Sequence, residues 1–186
     1  MREFGRSSLS LAGSLLIAHP NLLDPNFRRT VLFISANDPQ EGSFGMVLNR
    51  PAEKTVADLL PDKDLGVLGK VPVFIGGPVS RDQLTFASFR WRAAEGDIEC
   101  KTHLSVDEAT ELTEENFDAV RAFVGYSGWS KGQLEAELAQ KAWLVQKPAR
   151  DFLHADNLAD MWRQVMRSLG PLFRLLADAP DDPSRN

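Results

Sequence analysis

The glycine-rich stretch GYSGWSKG, residues 125–132, holds the residue types best suited to chemistry. Within it, Gly128-Trp129-Ser130-Lys131-Gly132 matches the G-x-S-x-G turn of serine hydrolases. That turn presents a serine hydroxyl between a strand and a helix, and needs an acid and a histidine later in the chain. Asp151 and His154 do follow, but they stand only three positions apart, which disfavours their independent approach to Ser130. Only 56 residues follow Ser130, and they must also complete the fold. His19 and Asp24 are the other groups that an enzyme can offer. A phosphate cradle fits no better. A P-loop ends in Gly-Lys-Ser/Thr, whereas Lys131 here precedes Gly132 and no Ser or Thr follows it. Gly125, Gly128 and Gly132 are three and four apart, which also misses the dinucleotide fingerprint.

Architecture accounts for the stretch more fully. Ser130 and Gln133 form an S-x-x-Q capping box, and Trp129 and Leu134 stand at the two positions of a hydrophobic staple. Glu137 and Lys141 make an i,i+4 pair on the helix that follows. Gly125 and Gly128 permit positive φ in a tight turn. Tyr126 and Trp129 remain larger than a turn requires. Elsewhere, Cys100 and His103 form a C-x-x-H half-site, and neither His19 nor His154 has a ligand-type neighbour at motif spacing. No metal and no cofactor is therefore expected.

The elements that must position these residues are read from patterning. Strands are expected at Leu15–Ala18, Thr30–Ser35, Phe44–Leu48, Val71–Ile75, Leu84–Phe89, Ile98–His103, Val120–Tyr126 and Trp143–Val145, from apolar, β-branched or alternating runs. Short helices are expected at Val56–Leu60, in LSVDEATELTEE and after Ser130. The clearest helix runs from Asp156 to Leu169, with Leu158, Met161, Trp162, Val165, Met166 and Leu169 on one face. Pro51 is expected to end the third strand, and Gly170-Pro171 the last helix. Short strands with few long helices predict an α+β fold with hairpins in a single domain over residues 1–186, with a loose polar tail from about residue 178.

Three strand ends carry residues that core packing does not require: Asn49-Arg50-Pro51, Gly76-Gly77-Pro78 and Gly125 to Trp129. Loops on a rigid sheet are where binding residues concentrate. Asn49, Arg50, Gly76, Gly77, Pro78, Gly125, Tyr126, Trp129 and Gln133 are thus the candidate binding residues. Arg50 together with exposed N–H groups at Gly76-Gly77 could hold a carboxylate or phosphate. The alternative is that Asn49, Arg50 and Gln133 satisfy backbone groups between neighbouring turns.

Composition narrows the partners. A formal charge of -5, a pI near 5.2 and no basic run oppose binding to nucleic acid through phosphates. No apolar run reaches the length of a membrane span. The stretch after Arg2 and Arg6 is broken by Ser7, Ser8, Ser10, Gly13 and Ser14, and is read as leading into a core strand rather than as a signal peptide. One cysteine excludes an internal disulfide and favours a cytoplasmic setting. The partner expected is a small molecule or a protein, and the chain is expected to be a monomer or weak homodimer.

Four segments occur in order: LLIAHPNLLDPNFRRTVLFI, GSFGMVLNRP, FIGGPV and FVGYSGWSKGQLEAEL. Together they resemble the YqgE/AlgH family of bacterial proteins over Leu15 to about Leu169. The resemblance implies a bifurcated, mostly antiparallel sheet, curled into a pseudo-barrel with flanking helices. The motif positions matched are Pro20, Asp24, Pro25, Phe27, Gly45, Asn49, Arg50, Pro51, Gly76, Gly77, Pro78, Gly125, Tyr126, Gly128, Trp129, Gly132, Gln133, Leu134 and Glu135. Ser130 and Lys131 stand where the motif is open. The loop Ala36–Ser43, where a histidine often stands near Asn37, and the segment after Gly170 depart from the pattern. The resemblance carries no catalytic residue. It does carry the label of transcriptional regulator, but no helix-turn-helix pairing or basic recognition helix accompanies it. The expectation is a non-enzymatic binding or regulatory protein, with a GxSxG hydrolase and a transcriptional regulator as the alternatives.

Overall fold

The structure is a computed structural model that describes residues 10–150 and 158–179. Among these residues there are nine strands and five α-helices. The strands are β1 (Leu15–Ala18), β2 (Val31–Asp38), β3 (Gly42–Val47), β4 (Pro51–Thr55), β5 (Pro72–Ile75), β6 (Val79–Arg92), β7 (Asp97–Leu104), β8 (Val120–Trp129) and β9 (Trp143–Gln146). The helices are α1 (Val56–Leu59), α2 (Val106–Glu115), α3 (Gln133–Ala139), α4 (Leu158–Ser168) and α5 (Pro171–Asp178).

The sheet runs β4-β5-β8-β3-β2-β1-β9, with β6 also on β8 and β7 on β6. Every pair is antiparallel except β5 with β8. Strand β8 is the branch point. Its first part pairs with β5 and β6, and its last residues, Ser127 to Trp129, pair with β3. This is the bifurcated α+β sheet that the family motifs imply. The curl is visible in the principal core. Leu15, Val31, Phe33, Met46, Phe74, Phe89, Ile98 and Phe123, from seven strands, meet Met161, Trp162, Val165 and Met166 of α4. Each such buried side chain contributes about 1.5–3 kcal/mol.

Two further cores lie on the outer faces. Val73, Phe86, Val120 and Ala122 are covered by α1 and α2, and Leu16, Leu32, Val47, Trp129 and Trp143 by α3 through Leu134. β1 is buried along its whole length because one face feeds each core. That is why it reads as a continuous apolar run and not as an alternation.

β3 ends before Asn49-Arg50-Pro51 and α4 before Gly170-Pro171, as expected, but the chain beyond these points and before Leu84 forms further regular structure. Pro51 does not end the strand region; it opens β4, an edge strand, where the first residue need not donate to the ladder. β6 begins at Val79 and is irregular before Leu84, with Ser80 at φ 51. Pro171 opens α5 at a first-turn position, where its missing N–H is not needed. The apolar stripe of α4 faces the principal core, with Leu158 and Leu169 at its margin, while Asp156 lies outside the described residues. α5 extends to Asp178, with Ala177 buried; the tail beyond residue 179 lies outside the described residues.

Candidate functional site

Asn49 and Arg50 follow β3 at the point where the chain leaves the sheet. The Asn49 amide takes the place of a missing strand partner. Its Oδ1 accepts from Val31 N–H (2.8 Å), and its Nδ2 donates to the Arg29 carbonyl (3.0 Å). Arg50 reaches into the loop before β2. Its Nη1 donates to the carbonyls of Pro25 (2.9 Å) and Asn26 (2.8 Å), and its Nη2 to that of Arg28 (3.0 Å). The guanidinium therefore gathers three carbonyls that turn geometry leaves without a ladder partner. Partial burial, then the charge of Arg81, lower the Arg50 pKa, and Asp24 opposes them.

The second turn follows β5. Gly76 and Gly77 are buried, and only Pro78 is exposed. Gly76 N–H donates to Val124 O (3.0 Å), while its carbonyl accepts from Val47 N–H (2.9 Å) and the Ser127 hydroxyl (3.0 Å). The expected exposed N–H groups at Gly76-Gly77 are thus corrected. The pair is pressed beneath β8 at the branch of the sheet. A Cβ on Gly77 would collide with the carbonyl of Tyr126, and one on Gly125 would lie 2.5 Å from the carbonyl of Gly77. Gly125 also has φ +70, a conformation that side chains rarely adopt.

These contacts bring most of the candidate residues together. Arg50 O accepts from Ile75 N–H (2.8 Å), Gly76 abuts Gly125, and Val79 pairs with Tyr126. Tyr126 is half-buried, with its ring 4.9 Å from that of Phe44, which lies 5.6 Å from His103. Trp129 is buried further along β8, and its ring lies 6.3 Å from that of Phe27, in the loop that Arg50 grips. Gln133 stands with Trp129, in α3.

The capping box forms only in part. The N-cap of α3 is Gly132 at φ 76, not Ser130. Gln133 Oε1 accepts from Ser130 N–H (3.1 Å), but Gln133 N–H donates to the Ser130 carbonyl (3.0 Å) in place of its hydroxyl. The left-handed Gly132 adds a turn between strand and helix, and this moves the cap two residues on. The staple residues Trp129 and Leu134 do share the third core. The Ser130 hydroxyl is exposed and lies 3.3 Å from Gln133 Oε1. Asp151 and His154, which an elbow would require, lie outside the described residues.

Glu137 was expected to pair with Lys141. Instead its Oε2 accepts from both indoles, Trp129 Nε1 (2.9 Å) and Trp143 Nε1 (2.8 Å), and its Oε1 accepts from Gln133 Nε2 (3.0 Å). This explains the oversized Trp129: a buried indole N–H needs an acceptor, and one carboxylate serves two. Two buried tryptophans flanking an acidic helix were the signal in the sequence.

Two arginines went unnoticed in the sequence. Arg81 leaves the irregular start of β6 and lays its stem across Gly125, with Cγ 3.3 Å from where a Cβ would stand. Arg121 lies within the apolar run of β8. It is buried between the rings of Phe74 and Phe89, and burial lowers its pKa to about 10 against the pull of Asp118.

The remaining reactive groups are occupied locally. His19 Nδ1 accepts from Asn21 N–H (3.2 Å), and Asp24 Oδ1 accepts from Asn26 N–H (2.7 Å). Burial pushes the Cys100 thiol up to about 12, where it is inert at neutral pH. His103 Nδ1 lies 3.1 Å from Thr102 Oγ1. Among the described residues no three His, Cys, Asp or Glu side chains group for a metal, and no helix is long and apolar enough to cross a membrane.

Comparison with known proteins agrees with this architecture. A family described as AlgH-like, DUF179, matches residues 15–174. A UPF0301 protein of Thermobifida fusca is 35% identical over 192 residues, covering 96% of this chain and 96% of the relative. A UPF0301 protein of Mycobacterium leprae is 38% identical over 183 residues, covering 94% and 90%. The solution structure of the AlgH protein from Pseudomonas aeruginosa superposes with a TM-score of 0.66 at 27% identity, covering 97% of this chain and 98% of that one. A crystal structure of a Corynebacterium diphtheriae protein shares the fold, with a TM-score of 0.71 at 20% identity over 90% and 92% of the two chains. With its branched sheet, its three converging turns and relatives matched along nearly their whole length, the chain belongs to the AlgH-like family.

Proposed function

We propose that this protein is a non-enzymatic cytoplasmic binding module, monomeric or weakly dimeric, which takes a small molecule or a protein segment on the surface of the three converging turns. One observation carries the reading. Strand ends far apart in sequence meet here: Gly76-Gly77 and Gly125-Tyr126 are locked by backbone contacts too close for any side chain, and Arg50 joins them through its carbonyl, which accepts from Ile75 N–H. Pro78, Val79 and Arg81 are left exposed on top, with Tyr126 half-buried beside them. A rigid base under exposed polar and apolar groups is what a preorganised binding site requires. The exposed Ser130, bonded to Gln133, gives no support to the hydrolase alternative, and the net charge of -5 none to direct DNA binding. A ligand that binds only the folded chain must raise its melting temperature as ligand concentration rises. The test is a thermal-shift screen against metabolites and nucleotides. At least one compound is expected to raise the midpoint of wild type but not of Arg81→Glu. A library in which no compound separates the two proteins would count against the reading.

A further inference from the structure

We infer that the groove between the loop after α1 and the start of α2 docks an extended segment of a partner protein, one that carries an acidic and a basic side chain a few residues apart. The groove shares no residue with the turn surface proposed above, and the inference does not depend on that reading. Two clefts adjoin there, of about 420 Å³ and about 620 Å³, and Asp64, Leu65 and Gly66 line both. Leu65, and Val106 in the larger cleft, pack into the core that α1 and α2 cover, which gives the groove an apolar floor. Gly66, at φ +51, has open space where a side chain would stand, so the wall shared by the clefts stays low. Capping boxes hold the flanking helices: Thr55 N–H donates to Asp58 Oδ2 (2.7 Å), and Ser105 N–H to Glu108 Oε2 (2.8 Å). A segment laid across the clefts would therefore meet a preformed surface.

The charges differ between the two clefts. Lys63 and Lys70 line the first, Asp107 and Glu111 the second, and Asp64 stands in the wall between them. All five are exposed, and none forms an ion pair among the described residues. A lone anion at the lysines would face Asp64 in the same cleft, and a lone cation would leave the lysines unmatched. A free amino acid carries its two charges on one carbon, whereas these poles stand in separate clefts. A chain segment with opposite charges a few residues apart, and an uncharged stretch over Leu65 and Val106, matches both poles and the floor. Exposed charge pairs contribute little affinity each, but they set orientation and on-rate. The segment is thus held weakly, in one direction, and more weakly as salt screens the poles.

The test selects binders for the full chain from a displayed library of random heptapeptides and maps each onto the protein by amide shifts. Enriched peptides are expected to carry an acid and a base a few positions apart, to move Lys63 to Lys70 and Val106 to Glu111, and to weaken in high salt. Lys70→Glu and Glu111→Lys change exposed side chains, so both should melt like wild type. Each should weaken the selected peptides about tenfold or more, since an attraction becomes a repulsion. The double variant should prefer the same peptides synthesised with acid and base exchanged. A selection that enriches no peptide, or peptides that the charge-reversed variants bind as tightly as wild type, overturns the inference. Peptides that move the turns at Arg50, Gly76 and Gly125 and leave the groove unmoved would also overturn it, while supporting the turn surface.

Discussion

Arg50 shows how one residue can brace a fold and still present donors. Arg50→Ala would strip three carbonyls of their partner, so it should lower stability by about 2 kcal/mol or more. The urea midpoint, read at constant slope, checks this. Glu137 is the acceptor for two buried indoles. Glu137→Ala should cost about 2–4 kcal/mol, because two buried donors are left unmade, and urea unfolding followed by tryptophan emission would report it. Ser130 gives the opposite expectation. With the helix capped at Gly132 and the hydroxyl on the surface, Ser130→Ala should stay within about 0.5 kcal/mol. A larger loss would restore the capping role read from the sequence. The donors and acceptors were all legible as residue types. Their partners were not: Arg50 meets carbonyls 22 to 25 positions away, a separation that no local pattern encodes.

At the scale of elements, legibility followed the source of each element's stability. β1, β5, β8 and α4 bury continuous or periodic apolar faces, and their patterns announce them. β4 buries none of its five residues fully and exists because β5 pairs with it, so PAEKT reads as loop. The glycines divide in the same way. Gly77→Ala drives a methyl into the Tyr126 carbonyl and should cost more than about 3 kcal/mol. Gly69→Ala meets nothing closer than 3.4 Å and should change stability by less than about 1 kcal/mol. Paired thermal melts separate the two. α2 carries a complete capping box, Ser105 with Glu108, and hydrogen bonds from Ser105 N–H and, after it, from the Ser105 hydroxyl (2.9 Å), which Ser105→Ala removes, hold the Glu108 pKa below its ordinary 4.5. A depressed folded pKa contributes stability above 4.5 that is lost as pH falls through the lower folded value. Ser105→Ala should therefore destabilise more at pH 7 than at pH 3, as read from urea midpoints at the two pH values.

For the whole molecule, a sheet that branches at β8 leaves three strand ends at one place, while α4, α1 with α2, and α3 each cover a core elsewhere on it. The family motifs made the branched sheet legible, and the turns at Arg50, Gly76-Gly77 and Gly125-Tyr126 adjoin one another in it. Trp129 and Gln133 belong to the α3 support because Gly132 turns the chain away there. Arg81 was hidden because the irregular start of β6 is a non-local feature. At net charge -5, affinity for a random DNA duplex at physiological salt should be no tighter than about 10⁻⁴ M by fluorescence anisotropy. Salt-sensitive nanomolar binding would overturn this expectation.

The central claim is that the locked turns form a binding surface, and amide chemical-shift mapping tests it most directly. Compounds that stabilise the wild-type chain would be titrated into the labelled protein. The largest shifts are predicted at Arg50, Gly76 to Arg81 and Gly125 to Tyr126. Shifts concentrated on α2 or α5, with these turns unmoved, would contradict it.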